Sequence, residues 1–411
     1  MDRFTGLLGI FFILGLAWLM SNNKKRVDYR LVISGLLLQL GFALFVLKTS
    51  LGETIFAYLG KGINKLLEFS DMGADFVFGP LVRTELMNSV FGQGTIFFFK
   101  IIPTIIFVAV LVNIAYHIGI LQFFIRYFAR FVHKVMRVSG SEALSNVSSA
   151  FVGQVEAQLL VKPYVRGMTM SELLSSMSGS MACIAGGVMA YYISTGIDAR
   201  FLLTASLMSA PAALVIAKIV WPETEASETK GKVQLEVKKQ HDNLLDAIAH
   251  GASDGLKIGL NVIAMLIGFI ALIYLVNYLL GLLGNLVHQP LSLQWILGWV
   301  FSGFAWLMGV PASEINKVGS LMGTKLVVNE FVAYKDLLPM IHQGTLSAKS
   351  IAIATFALCG FANFSSIAIQ VGGIGQIAPE RRSDLAKLGF RALLCGTLAN
   401  YLNAALVGIL L

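Results

Sequence analysis

The sequence predicts an all-α polytopic membrane protein: eight transmembrane helices, two re-entrant helical hairpins, broken helices and inverted repeats. Three observations predict it. The 411 residues are 56% hydrophobic and only 13% charged, with a mean hydropathy of +0.75. Soluble chains carry about 45–50% apolar and about 25% charged residues, so the bulk of this chain belongs in lipid. Apolar runs long enough for a hydrocarbon core of about 30 Å fall near 4–20, 31–48, 96–118, 172–195, 201–220, 257–284, 347–371 and 388–410. Two further stretches, 140–165 and 293–338, are too polar for lipid-facing spans and too apolar for loops.

The elements follow in order. Phe4 to Met20, followed by "SNNKKR", lacks a sizeable basic n-region and a small-residue cleavage site, so it reads as a first span and not a removed signal. Residues 1–50 hold the first two spans. Residues 51–95 are half-polar with apolar residues at helical spacing, an amphipathic, interfacial segment. Residues 96–138 form a scaffold helix and a cytoplasmic connection, 139–220 a first repeat, 221–292 a cytoplasmic loop and a long scaffold helix, and 293–411 a second repeat. Basic clusters follow spans 1, 3, 5 and 7: "NKKR", "RYFARFVHKVMR", "ETKGKVQLEVKKQ" and "PERRSDLAK". They alternate onto one face, which the positive-inside rule makes cytoplasmic. Both termini then lie on the outer face of a cell inner (cytoplasmic) membrane. The net charge of +8 is topology and needs no nucleic-acid partner.

The two misfit stretches are related. "GSEALSNVSSAFVGQVEAQL" carries Ser141-Glu142 and then Glu156; "ASEINKVGSLMGTKLVVNEF" carries Ser313-Glu314 and then Glu330. After each comes a Ser- and Gly-interrupted span, "SSMSGSMACIAGGVMAYY" or "ATFALCGFANFSSIAIQVGG", and then a plain one. Paired interrupted segments at matching places in two halves point to an inverted-repeat transporter. Cys183, Cys359 and Cys395 lie in apolar segments, so a disulfide framework is not expected. The chain has no His-Glu-x-x-His and no phosphate-binding Gly-Lys-Ser/Thr loop.

A carboxylate near the bilayer centre costs about 2.5–3.5 kcal/mol even on the gentler insertion scale. Glu156 and Glu330 therefore either hold helices together as buried, paired groups or face a cavity as ligand groups. Gln154 adds an amide that both donates and accepts. Asn363 and Ser366, three apart, are expected on one face of a helix. Asn329 joins Glu330 in "VVNEFVAY". With no fixed cation among them, this set suits a neutral, hydroxyl-rich solute with hydrogen-bonding edges.

These residues also carry a resemblance. "GQVEA" (153–157), "NEFVAY" (329–334) and "CGFANFSSIAI" (359–369), with "GADFVFGPL" (73–81) and "IAGGVMA" (184–190), resemble the signature segments of the concentrative nucleoside transporter family, in its bacterial form. The resemblance implies a homotrimer in the lipid bilayer, a fixed scaffold and a moving transport domain. It implies elevator-type symport of nucleosides such as uridine, cytidine and adenosine, coupled to sodium or protons. In family terms Gly153, Gln154, Val155, Glu156 and Val188 lie at the nucleobase, and Glu330, Asn363, Ser366 and Phe361 at the ribose. A sodium site would comprise Ser149, Val152, Cys183 and Ile184. The chain departs from the family pattern in three places. Val155 stands where Thr is frequent, Ser149 where sodium-coupled members usually have Asn, and Cys183 where they usually have Ser. A thiol is a poor ligand for a hard cation, and burial disfavours a charged carboxylate. The expectation therefore tilts toward a proton carried by Glu156 or Glu330.

Two other functions compete: a membrane-embedded enzyme and a passive channel. The first lacks a matching Asp motif, and the second has no need of duplicated broken helices. The expectation is a transporter of nucleosides, or of another neutral polar metabolite, with no catalytic residues and no bound cofactor.

Overall fold

The computed structural model describes residues 2–91, 96–231, 242–287, 289 and 291–411. Positions 92–95 of the interfacial segment, 232–241 of the basic loop, and 288 and 290 lie outside the described residues. Among the described residues every regular element is helical.

Helix α1 (Asp2–Leu19) carries its only charges, Asp2 and Arg3, at its start. A basic turn at Lys24–Arg26 follows. The Asp28 carboxylate then caps α2 (Tyr29–Lys48), accepting from the N–H groups of Arg30 at 3.0 Å and Leu31 at 3.2 Å. Thr49 caps α3 (Ser50–Phe78), a 29-residue amphipathic helix in the region expected to be interfacial. Then come α4 (Thr84–Phe91), the apolar α5 (Phe97–His117) and α6 (Ile120–Met136). α6 buries Ile125, Ala129, Val132 and Met136 on one stripe and leaves Phe123, Phe124, Tyr127 and Phe131 exposed on another.

The next elements are short. α7 (Gly140–Ser149), α8 (Glu156–Leu159) and α9 (Lys162–Val165) form a helix–turn–helix. Ten residues of α7 rise only about 15 Å, half of a hydrocarbon core of about 30 Å. α10 (Met170–Ala182) and α11 (Gly186–Ser194) are two halves of one rod, broken at 183–185. α12 (Ala199–Val220) is unbroken, and α13 (Leu244–Val287) is the longest helix at 44 residues. α14 (Leu293–Leu307) precedes a second helix–turn–helix, α15 (Ile315–Val327) and α16 (Glu330–His342). A second broken rod follows, α17 (Ala348–Leu358) and α18 (Phe364–Ile377), and α19 (Arg382–Leu410) closes the chain.

Six stretches among the described residues are long and apolar enough to cross a membrane: Tyr29–Lys48, Phe98–His117, Met170–Ser194, Ala199–Val220, Leu244–Leu286 and Pro379–Leu410. The apolar part of α1 and the α17–α18 pair lie at expected spans but fall in shorter pieces. Burial sorts the six into two groups. In the most apolar 18-residue window of Met170–Ser194, Ala199–Val220 and Pro379–Leu410, 83%, 89% and 83% of residues are buried; in the corresponding windows of Tyr29–Lys48, Phe98–His117 and Leu244–Leu286 the shares are 28%, 22% and 17%. The broken rods and their plain helices are thus the interior, and α2, α5 and α13 run along its outside.

α5 and α13 meet backbone to backbone. A Cβ on Gly251 would lie 2.7 Å from the Val110 Cα, and one on Gly255 2.6 Å from the Ile106 Cα. With Gly259 one turn further, this is a small-xxx-small stripe that permits close helix approach in lipid. At the end of α12, Lys218 is buried and paired with Glu142 at 2.6 Å and Glu223 at 3.1 Å. The segment after α12 folds back here: Thr229 O accepts from Gly140 N–H at 3.1 Å, and Ser171 Oγ donates to Trp221 O at 2.6 Å. Reciprocal capping boxes, Ser139 with Glu142 and Thr169 with Glu172, start α7 and α10 side by side.

Candidate functional site

The two turns and the two breaks come together. α8, α11, α16 and α18 begin around one cavity of about 230 Å³, so three helix N-termini of eight residues or more and a single helical turn open onto it. Helix N-termini carry partial positive charge and unpaired N–H groups, which explains acidic residues there. Glu156 and Glu330 are each the first residue of a helix.

One end of the cavity is buried. Asn329 caps α16, its side-chain oxygen accepting from the Val332 N–H at 3.0 Å. Glu330 is only 3% exposed, and its Oε2 accepts from Asn363 Nδ2 at 3.2 Å. Asn363 Oδ1 accepts from the Ser366 N–H at 3.0 Å and from Ser365 Oγ at 2.7 Å. Asn363 is therefore the N-cap of α18, with extended backbone (φ −146, ψ 165), and does not share a helical face with Ser366. The expectation of a shared face fails because the helix starts only at Phe364. A side-chain cap, not the helical repeat, brings the two residues together.

The other end is more open. Glu156 is exposed on the cavity wall and Gln154 half-buried. Both carboxylates face the cavity, but only Glu330 is buried; the first turn is the longer, with six residues between α7 and α8 against two between α15 and α16. Gly153 leaves room for the Glu156 carboxylate, whose Oε2 would lie 2.1 Å from a Cβ there. Gln154 Oε1 accepts from Gln370 Nε2 at 3.5 Å, and Gln370 also donates to Met177 O at 3.2 Å.

All the expected base-end residues, Gly153, Gln154, Val155, Glu156 and Val188, line this cavity, and so do Glu330, Phe361, Asn363 and Ser366. Sequence reasoning missed Asn261 and Ser365, which also line it, and Gln370 behind it. Asn261 had a signal: an amide near the middle of the long apolar α13, with Asn277 and Asn285 further toward its end. An adjoining cavity of about 440 Å³ shares Gly153, Val155, Glu156, Val188 and Asn261 and extends toward Asn113, Asp254 and Lys257.

The four expected ion-site residues are buried at the first turn and the first break. Ser149 Oγ donates to Ser145 O at 2.8 Å and lies 3.0 Å from Ser180 Oγ. Gln158 Nε2 reaches Ser180 Oγ at 2.7 Å, so Ser149 belongs to a hydrogen-bonded network of serines. Cys183 caps the end of α10, and its carbonyl accepts from the Phe361 N–H at 3.2 Å. Val152 donates its N–H to Ser148 O at 3.0 Å, and Ile184 is fully buried. The turn and the break are neighbours, since a Cβ on Gly186 would lie 3.1 Å from the Phe151 carbonyl oxygen. Among the described residues no group of three His, Cys, Asp or Glu side chains gathers as a metal site.

Non-helical backbone among apolar helices is tolerated where protein or a cavity satisfies its polar groups. Four such interruptions around one polar cavity, in a chain with six membrane-length apolar stretches among its described residues, define a multi-pass membrane transporter. Models of the Na+ dependent nucleoside transporter N-terminus and C-terminus match residues 8–81 and 201–408, and a nucleoside recognition gate model matches 98–199. The transporter YutK of Bacillus subtilis is 42% identical over 99% of this chain and 99% of its own length. Nucleoside permease NupC of Helicobacter pylori is 36% identical over 98% and 96%. The solved structure of CNTnw in an inward-facing substrate-bound state matches with a TM-score of 0.95 at 40% identity, covering 100% of this chain and 98% of that one. A substituted CNTnw in an outward-facing state matches at 0.94 and 39% identity, with the same coverage. The chain belongs to the concentrative nucleoside transporter family, whose members are transporters and not enzymes.

Proposed function

We propose that the protein is a cation-coupled nucleoside symporter that imports pyrimidine and purine nucleosides by elevator-type alternating access. The observation that carries this reading is the single cavity that gathers polar side chains from both turns and both breaks. At about 230 Å³ it is smaller than the roughly 300–1,000 Å³ of drug-sized pockets and suits a small polar metabolite. Glu330, Asn363 and Ser366 form the buried end, where the carboxylate accepts from a ribose hydroxyl and the Asn363 amide N–H and the Ser366 hydroxyl donate to the ribose oxygens, with Phe361 beside them. Gln154 and Glu156 form the open end, where amide and carboxylate meet the donors and acceptors of a base edge, and Val155 and Val188 pack on its faces.

In this reading the two helix–turn–helix units are re-entrant hairpins of two inverted repeats, residues 139–220 and 293–411. With the broken and plain helices they make the moving body. α2, α5 and α13 belong to the fixed scaffold, and the exposed apolar face of α13 supplies homotrimer contacts. The count of eight spans includes α1 and the α17–α18 pair. Both termini face outward across the cell's inner membrane.

The coupling ion is sodium or a proton. The family's description names sodium. Ser149 and Cys183 supply a weak oxygen set for it, which favours the proton or a low-affinity sodium site. Uridine accumulation in proteoliposomes under separately imposed sodium and proton gradients tests the whole reading. Accumulation above the external concentration under one of the gradients is expected; equilibration without concentration under both overturns symport.

A further inference from the structure

Lys325 is fully buried in α15 and makes no ion pair among the described residues. The other buried lysine, Lys218, has two carboxylate partners. Lys325 instead donates to two neutral oxygens: Ala357 O at 3.0 Å and Asn400 Oδ1 at 2.6 Å. Asn400 Nδ2 then donates to Ala182 O at 2.7 Å. The orientation of this amide follows from its neighbours, since a lysine only donates and a carbonyl only accepts.

The two carbonyls are the point. Ala182 is the last residue of α10 and Ala357 the next-to-last of α17. Both helices end here at a cysteine, Cys183 or Cys359, whose N–H closes on the carbonyl four residues back. Helix C-termini carry partial negative charge and unpaired carbonyls. Two of them meet in the interior, where such charges are weakly screened. Their approach is close: a Cβ on Gly360 (φ +143) would lie 2.5 Å from Ala182 O and 2.8 Å from Asn400 Oδ1. Only glycine fits both that backbone and that space.

We propose that Lys325 is a tethered cation that serves the C-terminal ends of α10 and α17 together. By pinning the two breaks it positions Glu330, Asn363 and Ser366 for the nucleoside. α15 leads into the turn that carries Glu330, and α17 leads into the break that carries Asn363. The lysine does not line the cavity, so it acts through these residues. In the first repeat the arm α7 brings a hydroxyl and an amide, Ser149 against Ser180 and Asn146 beside Gly179, to the end of α10, and no cation. A mobile ion has a role there that the second repeat fills with its own side chain. This last point rests on the symport reading above.

The test compares Lys325→Met, which keeps the length but not the charge, with Lys325→Gln, which keeps a donor but not the charge. Uridine uptake is measured in proteoliposomes alongside wild type, with assembly checked by size exclusion. Both variants are expected to raise the uridine KM at least tenfold. A Gln variant within threefold of wild type overturns the proposal, because a neutral donor then suffices. A fall in maximal rate with unchanged KM also overturns it. If neither variant assembles, Asn400→Leu decides. It leaves Lys325 on α17 but severs its link to α10, and a KM within twofold of wild type refutes the pinning. Absence of uptake by wild type itself fails the symport reading, and uridine binding to the same variants, read by thermal shift, then tests the lysine with the same tenfold criterion.

Discussion

Replacing Glu330 by Ala isolates the contact that distinguishes a ribose from other polar groups. Glu330 is 3% exposed and accepts from Asn363 Nδ2 at 3.2 Å. Truncation removes a charged acceptor from the buried end of the cavity and leaves that amide without a partner. A hydrogen bond to a charged group contributes about 1.5–3 kcal/mol. At about 1.4 kcal/mol per tenfold, one lost ribose contact weakens uridine binding roughly 10- to 150-fold. Glu330→Gln keeps an acceptor for Asn363 and loses only the charge, so it should fall at the lower end. The informative assay is the ratio of uridine to 2′-deoxyuridine affinity, measured by competition on wild type and variants. Wild type should prefer uridine, and the preference should collapse toward unity in Glu330→Ala. A variant that binds both ligands weakly but keeps the wild-type ratio shows that Glu330 does not accept from the 2′-hydroxyl, and the ribose assignment fails.

The open end gives a gentler effect: Val155→Thr swaps a methyl for a hydroxyl of the same shape and should reorder uridine, cytidine and adenosine by about 0.5–1.5 kcal/mol, read by competition uptake. Gly255→Leu should drive α13 off α5, since even a Cβ would lie 2.6 Å from the Ile106 Cα; overpacking of this kind costs about 1–3 kcal/mol, visible as a lower midpoint in thermal unfolding in detergent. Lys218→Met leaves the buried Glu142 carboxylate unpaired and should cost about 3–5 kcal/mol, with loss of monodisperse protein on size exclusion; Lys218→Met protein as stable as wild type contradicts that accounting. Uridine accumulation at fixed pH with choline in place of sodium, and at fixed sodium with an uncoupler, identifies the coupling ion; loss in choline with no effect of the uncoupler sets the proton aside, and Ser149→Asn should then lower the sodium concentration needed.

Much of this was legible in the sequence, and the reasons differ from residue to residue. Glu156 and Glu330 stood out because a carboxylate in an apolar run carries a solvation cost that chance composition does not sustain. Asn363 and Ser366 were found by residue type, but the wrong local geometry was attached to them. Nothing in "CGFANFSSIAI" fixes which residue ends the break, and a three-residue spacing fits a cap as well as a helical face. The α5–α13 contact had a plain signal, Gly251, Gly255 and Gly259 four apart, that only becomes telling when the facing backbone is known. Lys325 was hidden for another reason. A lysine beside a turn reads as an ordinary solvated charge until the tertiary structure shows that its partners come from α17 and α19, distant in the chain.

The arrangement of helix ends explains why one fold needs two turns and two breaks. A continuous membrane helix hides its dipole ends in the headgroups, where water satisfies them. Interrupting it at mid-depth brings both ends inside. Here the ends are sorted by sign. The helices that begin at the interruptions, α11, α16 and α18 with the short α8, direct N–H groups to the cavity, where a polar solute with acceptor oxygens is held. The helices that finish at the two breaks, α10 and α17, have their end carbonyls, with that of Cys183, bonded to Asn400, Lys325 and the Phe361 N–H. The side that faces the solute is thus built of donors and tolerates Glu156 and Glu330. The side behind it is built of acceptors and calls for a cation. In the proposed symport reading, the substrate site and the cation-seeking carbonyls lie on the same two breaks. On that reading, a shift of the Phe361–Cys183 contact alters both at once, and the geometry of the break is what couples solute binding to ion binding.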